Sequence, residues 1–255
     1  MYIHDLDPVA FSVFNFKVYW YSLSYLFGFI LSFFYAKFLI LNNLIKIRFK
    51  IFEDFLGWAI IAVIIGGRLG YAIFYNLEFY SENLIEIFKI WQGGMSFHGG
   101  LIGLTLSIFL YSKFKKIDFF ELSNLVAACA PLGLFLGRLA NFINGELVGR
   151  PTYSEWGVLF NENDVLRHPS QIYEAMLEGV VIYIVIFLIF KKKYHISLNV
   201  FAVFFIMYGF FRFIIEFFRE PDSHLGLIYI NLSMGQILSL PMIAIGLIFL
   251  RYNRK

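Results

Sequence analysis

Residues 136–149 read L-G-R-L-A-N-F-I-N-G-E-L-V-G, a stretch that begins inside an apolar run and ends outside it. It sets a guanidinium at Arg138, carboxamides at Asn141 and Asn144, a carboxylate at Glu146 and glycines at 137, 145 and 149 close to one boundary of a hydrophobic span. Arginine at the centre of a membrane helix disfavours insertion by roughly 2.5 to 3.5 kcal/mol, and such residues face a bundle interior, a water-filled cavity or a ligand. A functional site is therefore the default reading of this stretch.

The chain around it supports a membrane setting. Of its 255 residues 60% are hydrophobic and 33 are phenylalanine, against roughly 45 to 50% apolar residues in soluble domains. The expectation is an all-α membrane protein forming a single integral domain over residues 1–255. Seven apolar segments, at about 18–41, 52–75, 97–113, 120–142, 170–190, 197–218 and 234–252, approach or exceed the ~20 residues needed to cross ~30 Å of hydrocarbon. Basic residues cluster in alternate connections: Lys46, Arg48 and Lys50; Lys113, Lys115 and Lys116; Lys191, Lys192 and Lys193; then Arg251, Arg254 and Lys255 in the tail. The other connections carry acid, with Glu78, Glu82 and Glu86 in one and Glu146, Glu155, Glu162 and Asp164 in another. The positive-inside rule then puts the N-terminus outside and the C-terminus inside. Residues 1–17, acidic at Asp5 and Asp7, are expected to stay attached on the outside. The connection 143–168 is expected to form a small external cap. A single cysteine, Cys129, excludes an internal disulfide and a multi-thiolate metal site; its small neighbours suggest packing between helices.

That topology gathers polar groups in one leaflet. Arg138 falls about 6 Å inside the outer boundary at 1.5 Å per residue, and Arg212 falls at a similar depth. Arg68 lies in the outer third of the second span, His98 opens the third from outside, and Tyr21 is near the outer start of the first. Each has a structural alternative. Tyr21 follows Trp20 and could belong to an aromatic belt. Arg68 could snorkel or meet an external glutamate. Arg212 precedes Glu216 by four residues, one turn along the same helix face. His98, with Gly93 and Gly94 before it and Gly99 and Gly100 after it, could be a hydrogen-bonded structural residue. Arg138 has no acid three or four positions away in sequence. Together with Arg219, these arginines read as a surplus of positive charge that wants an anion, and a lipid phosphate suits arginine's planar fork.

The 137–149 stretch also resembles the signature of the prolipoprotein diacylglyceryl transferases, G-R-x-G/A-N-F-x-N-x-E-x-x-G. Five further stretches fall in the same order as in that family: G-G-R-L-G-Y (66–71), G-G-M-S-F-H-G-G-L (93–101), R-H-P-S-Q-I-Y-E (167–174), Y-G-F-F-R-F-I-I-E-F-F-R (208–219) and S-M-G-Q-I-L-S (233–239). The resemblance implies a multi-pass enzyme of the bacterial plasma (inner) membrane, with its active site towards the outer leaflet. Such an enzyme moves the diacylglyceryl group of phosphatidylglycerol onto the lipobox cysteine of a prolipoprotein and releases glycerol 1-phosphate. It implies functional roles for Tyr21, His98, Arg138, Asn141, Glu146, Gly149, Tyr208, Arg212 and Glu216. The segment 149–168 looks shorter than in many members, which bears on how a signal peptide is held.

In that chemistry a thiolate displaces a phosphate ester from a glyceryl carbon, and arginines at the phosphate gain interaction as its second charge develops. The expectation assigns this to Arg138 and Arg212, with Glu216 orienting Arg212 and Arg68 adding to the field or holding the headgroup. His98 is nominated to accept the thiol proton, and Asn141, Asn144 and Tyr21 to bond headgroup oxygens. The expected partners are phosphatidylglycerol and prolipoprotein signal peptides; no metal, nucleotide or redox cofactor and no nucleic acid is implied. Two other readings compete. An anion transporter would continue its polar groups into the cytoplasmic leaflet, where these spans are mostly Phe, Ile and Leu; a non-catalytic phospholipid-binding scaffold would leave His98, Asn144 and Glu146 without a task.

Overall fold

The computed structural model of the chain describes residues 2–14, 16–160, 165–196, 198–221, 226–229 and 232–252. Glu162 and Asp164 of the acidic connection, Ser197 of the sixth apolar segment, and Arg254 and Lys255 of the basic tail lie outside the described residues. The architecture is α-helical. The helices are α1 (Trp20–Leu41), α2 (Phe49–Tyr75), α3 (Leu77–Glu82), α4 (Phe97–Lys115), α5 (Phe119–Ile143), α6 (Ser170–Glu174), α7 (Ile182–Lys191), α8 (Val200–Ile215) and α9 (Met234–Tyr252). A π-helical stretch, Ala175–Val181, joins α6 to α7. Each of the seven predicted apolar segments contains one long helix or the continuous run Ser170–Lys191.

Five of these, α1, α2, α5, the run Ser170–Lys191 and α9, are long and apolar enough to cross a membrane. The other two fall short for visible reasons. α8 is apolar but has only 16 residues, because the chain turns at Glu216 rather than continuing to Phe218. α4 has 19 residues but holds three glycines, His98 and two lysines among them.

The chain forms two compact units, residues 1–39 with 124–255, and residues 40–123. The smaller unit is built on the packing of α2 against α4, and glycine makes it possible. A Cβ on Gly66 would lie 2.4 Å from the Gly99 carbonyl oxygen, one on Gly70 2.6 Å from the Gly99 Cα, and one on Gly103 2.3 Å from the Ala62 carbonyl oxygen. The spacings Gly66–Gly70 and Gly99–Gly103 are small-xxx-small faces, which let two membrane helices bring their backbones together. Ser96 caps α4, its hydroxyl accepting from the Gly99 N–H at 3.1 Å. Tyr111, fully buried, donates to the Ile51 carbonyl at 2.9 Å.

The larger unit holds α1, most of α5, and α6 to α9. α8 and α9 form its main helix pair, again through a glycine: a Cβ on Gly209 would lie 3.0 Å from the Ser239 carbonyl. Cys129 is buried, its thiol donating to the Ser32 carbonyl while the Ser32 hydroxyl donates to the Cys129 carbonyl, both at 3.4 Å. Short strands accompany the helices. β1 (Tyr2–Ile3) runs parallel to β4 (Val158–Leu159), tying the N-terminal residues to the segment after α5. β2 (Val9–Val13) and β3 (Phe16–Tyr19) form an antiparallel hairpin leading into α1. This hairpin was not expected from the apolar periodicity.

The glycine contacts lead to a first prediction. Gly99→Leu should destabilise the protein by about 3 kcal/mol or more, the upper end of overpacking costs, because backbone rather than a movable side chain stands in the way. Gly57→Leu on the same helix pair, where a Cβ meets nothing within 4 Å, should leave thermal unfolding in detergent unchanged.

Candidate active site

The signature stretch sits at the last turns of α5 and in the turn that follows. Gly145 and Leu147 take left-handed backbone, with φ of 65° and 57°, which reverses the chain and folds Glu146 back on the helix end. Asn141 and Asn144 both donate from Nδ2 to Glu146 Oε1, at 2.7 and 3.4 Å. Gln171 Nε2 donates to the Glu146 carbonyl at 2.6 Å, and the Ser170 hydroxyl to the Leu147 carbonyl at 3.0 Å. The first residues of α6 thereby hold the turn. Gly149 is wedged between two chain segments. It forms a bridge with Arg219, and a Cβ there would lie 2.3 Å from the His168 carbonyl oxygen and 2.8 Å from that of Phe218.

Arg138 lies three residues after Phe135 on α5, and Gly179 in the π-helical stretch packs directly on Phe135, where a Cβ would come within 2.6 Å of the Phe135 Cβ. That close approach brings Arg138 to two carboxylates. Its Nε is 2.9 Å from Glu174 Oε2, though angled away from hydrogen-bond geometry, and its Nη2 is 3.4 Å from Glu178 Oε2. Arg212 on α8 reaches Glu174 Oε1 at 2.5 Å and Glu178 Oε1 at 3.8 Å, and pairs with Glu216 one turn on. Arg219 Nη1 also donates to Glu174 Oε1 at 3.1 Å. Glu216 accepts the Ser233 hydroxyl at 2.6 Å, and Gly235 leaves room for its carboxylate, since a Cβ there would lie 2.6 Å from the Glu216 Cδ. Tyr208 is buried within electrostatic range of Glu178, Arg212 and Arg138.

These contacts correct the expected surplus of positive charge. Arg138, Arg212 and Arg219 are matched by Glu174, Glu178 and Glu216, so the cluster is formally neutral. Arg138 does have acidic partners, and they come from another helix. Glu174 closes the quoted 167–174 stretch and Glu178 follows it by one turn, two carboxylates inside an otherwise apolar run. That spacing was the signal available in the sequence. The cluster is also layered: the side chains of Glu174 and Glu178 have 0% exposure, whereas those of Arg138 and Arg212 keep 15% and 14%. The arginine side chains are the less buried members of the cluster.

The remaining nominated residues divide between the two units. In the larger unit, the rings of Tyr21 and Tyr25 meet edge to face with centroids 5.2 Å apart, and Tyr25 lies within electrostatic range of Glu146 and Arg138. In the smaller unit, Arg68 is buried and gives its N–H groups to five backbone carbonyls: Ile87 at 2.8 Å, Glu86 at 2.7 Å, Lys89 and Gly94 at 3.2 Å, and Gly93. Guanidinium has five N–H donors, so a direct hand in binding a headgroup would require breaking one of these bonds. His98 is the second residue of α4 and is half-buried. Outside the helices, His168 Nδ1 lies 3.2 Å from the Tyr173 hydroxyl, and burial pushes its imidazole below the usual histidine value.

Long apolar helices and an internally neutralised arginine–glutamate cluster at the ends of α5, α6 and α8 define a multi-pass α-helical membrane protein with a polar site built into its helices. The family model for prolipoprotein diacylglyceryl transferase matches residues 8–252. The chain is 46% identical over 248 residues to a phosphatidylglycerol–prolipoprotein diacylglyceryl transferase of Rickettsia felis, covering 95% of each chain. It is 46% identical over 249 residues to the one from Rickettsia bellii, covering 95% of this chain and 94% of the relative. The Rickettsia canadensis protein of the same name is 45% identical over 252 residues, 96% of each. The chain belongs to the prolipoprotein diacylglyceryl transferase family.

Because Glu174 touches three arginines, Glu174→Gln leaves buried positive charge uncompensated and should cost about 3 to 5 kcal/mol of stability, as for other broken buried pairs. Gly133→Ala on α5, where a Cβ meets nothing within 4 Å, should leave the melting temperature close to wild type. Thermal unfolding of both variants in one detergent checks the contrast.

Proposed function

We propose that the chain transfers the diacylglyceryl group of phosphatidylglycerol to the lipobox cysteine thiol of a prolipoprotein and releases glycerol 1-phosphate. The observation that carries the reading is the layering of the cluster: fully buried carboxylates behind, partly exposed Arg138 and Arg212 in front. Donors held in place by fixed partners are already aimed when charge develops on a ligand, and this preorganisation is what electrostatic catalysis requires. The names of the relatives supply the substrates.

The reaction forms one S–C bond and breaks one C–O bond at the glyceryl carbon. The phosphodiester enters with one negative charge and departs as a monoester developing a second. Arg138 and Arg212 face the phosphate and interact more strongly with the departing group than with the bound lipid, which lowers the barrier rather than merely tightening binding. Glu174 and Glu216 hold the two guanidiniums in orientation. The Asn141–Asn144–Glu146 trio fixes the end of α5, and Gly149 allows the following segment to close on it. Arg68 acts at one remove, by ordering the connection that leads into α4. The lipobox thiol is the nucleophile and loses its proton, for which His98 is the nominated acceptor.

The seven helical segments are read as seven spans, with the N-terminus outside, the C-terminus inside, and residues 143–168 with β1 as a small external cap. The support is the alternation of basic and acidic connections and the β1–β4 pairing. The chain is accordingly placed in the bacterial plasma membrane with its site towards the outer leaflet, as one integral domain.

The test is mass spectrometry of a lipobox peptide incubated with the purified protein and phosphatidylglycerol. A diacylglyceryl mass gain that needs the peptide's cysteine, and falls at least about 100-fold with Arg138→Ala, is the expected result. Residual transfer by His98→Gln removes the histidine as obligatory base, and no transfer by well-folded wild type removes the reading. Gly137, beside Arg138, has no described neighbour within 4 Å of a built Cβ. Gly137→Leu should therefore fold normally yet lose transfer, by filling space that the lipid needs.

A further inference from the structure

The three buried carboxylates of the cluster are held very unequally. Glu174 approaches three arginines, at 2.5, 2.9 and 3.1 Å. Glu216 pairs with Arg212 and accepts the Ser233 hydroxyl at 2.6 Å. Glu178 comes no nearer than 3.4 Å to Arg138 and 3.8 Å to Arg212, and its Oε1 accepts no hydrogen bond from any described residue although the side chain is fully buried. A contact of 3.4 Å is at the outer limit of hydrogen bonding, so little directed interaction holds this carboxylate. Its two arginines are the more exposed of the three, at 15% and 14% against 9% for Arg219. It also sits on the π-helical stretch rather than on regular helix, a local geometry that recurs where side chains must be re-aimed for function.

We infer that Glu178 is the exchangeable counter-ion of the cluster: the phosphate of the lipid donor replaces it at Arg138 and Arg212, and it recovers these arginines when the phosphate product leaves. This rests on the phosphate reading given above. A phosphodiester at Arg138 and Arg212 adds a negative charge to a neutral cluster of three arginines and three glutamates, and competes there with the carboxylates already paired to them. The pair that yields is the most loosely made. Glu174 and Glu216 remain in place and keep the guanidiniums aimed, while Glu178 competes with the incoming anion from behind. Tyr208 and Arg219 complete its charged and polar surroundings. In this role Glu178 is a positioning residue that weakens phosphate binding and speeds product departure.

The test uses the full-length protein in phosphatidylglycerol-containing micelles with a lipobox peptide. Glu178→Gln keeps the shape and removes the charge, so KM for phosphatidylglycerol should fall about fivefold while kcat falls through slower product release, a split read directly from the steady state. Glycerol 1-phosphate should inhibit this variant more tightly by a similar factor. Glu178→Asp, shortened by one methylene, should lower KM in the same direction and carries the test if the glutamine variant fails to fold. KM unchanged or raised in a folded variant overturns the inference, because a merely structural carboxylate would loosen the arginines rather than free them. Calorimetric titration with glycerol 1-phosphate, which needs no turnover, separates the two readings. Tighter binding to Glu178→Gln than to wild type upholds the exchange even if no transfer is seen, and equal or weaker binding refutes it even if transfer is normal.

Discussion

An ion taken out of water must be matched, and the larger unit of this protein is arranged around that requirement. Even after relaxation, burying an unpaired ion costs several kcal/mol, so three guanidiniums in apolar helices demand carboxylates at contact distance. They come from separated parts of the chain: Arg138 from α5, Glu174 and Glu178 from the run Ser170–Lys191, and Arg212, Glu216 and Arg219 from α8 and the turn after it. No one of these elements is neutral at this level by itself. The charge balance therefore selects their mutual placement, and the apolar contacts fill in behind it.

Charge balance alone would not bring the backbones close enough, and glycine supplies the remaining room. Gly179 on Phe135 sets the distance from α5 to the glutamate run, and Gly235 admits the Glu216 carboxylate. Gly149 lets the segment after α5 pass between His168 and Phe218. The smaller unit uses the same device without charge, through Gly66, Gly70, Gly99 and Gly103 on α2 and α4. Its one buried guanidinium, Arg68, is satisfied by carbonyl dipoles instead of carboxylates. Backbone carbonyls can neutralise nothing, but they do saturate donors, and Arg68 works as a clamp on an irregular connection.

The helices were legible because length and apolarity are local properties. The predicted segment 120–142 and the observed α5, Phe119–Ile143, differ by one residue at each end. The site was half legible. Asn141, Asn144, Glu146 and Gly149 form one folded-back turn whose members are neighbours in sequence, and the Arg212–Glu216 pair is one helical turn. Glu174 and Glu178 escape a reading confined to three and four residues either side of Arg138, where Leu134, Phe135, Asn141 and Phe142 stand. A contact across 36 residues, from Arg138 to Glu174, leaves no local trace except two carboxylates where lipid would tolerate none. The π-helical turn that aims Glu178 has no sequence signal of its own, and neither has the hairpin of β2 and β3.

The correction from a positive surplus to a neutral cluster changes what the site can do. A surplus of arginine in a membrane would be costly to fold and would hold any available anion, product included. A neutral cluster can fold empty, keeps its guanidiniums rigid through Glu174 and Glu216, and leaves Glu178 as the most loosely held of their partners. Fixed dipoles and charges assist a reaction when they are already oriented, because no energy is then spent on turning them as charge moves. The same carboxylates that make Arg138 and Arg212 tolerable inside the helices are thus what aims them, and stability and function rest here on one set of contacts.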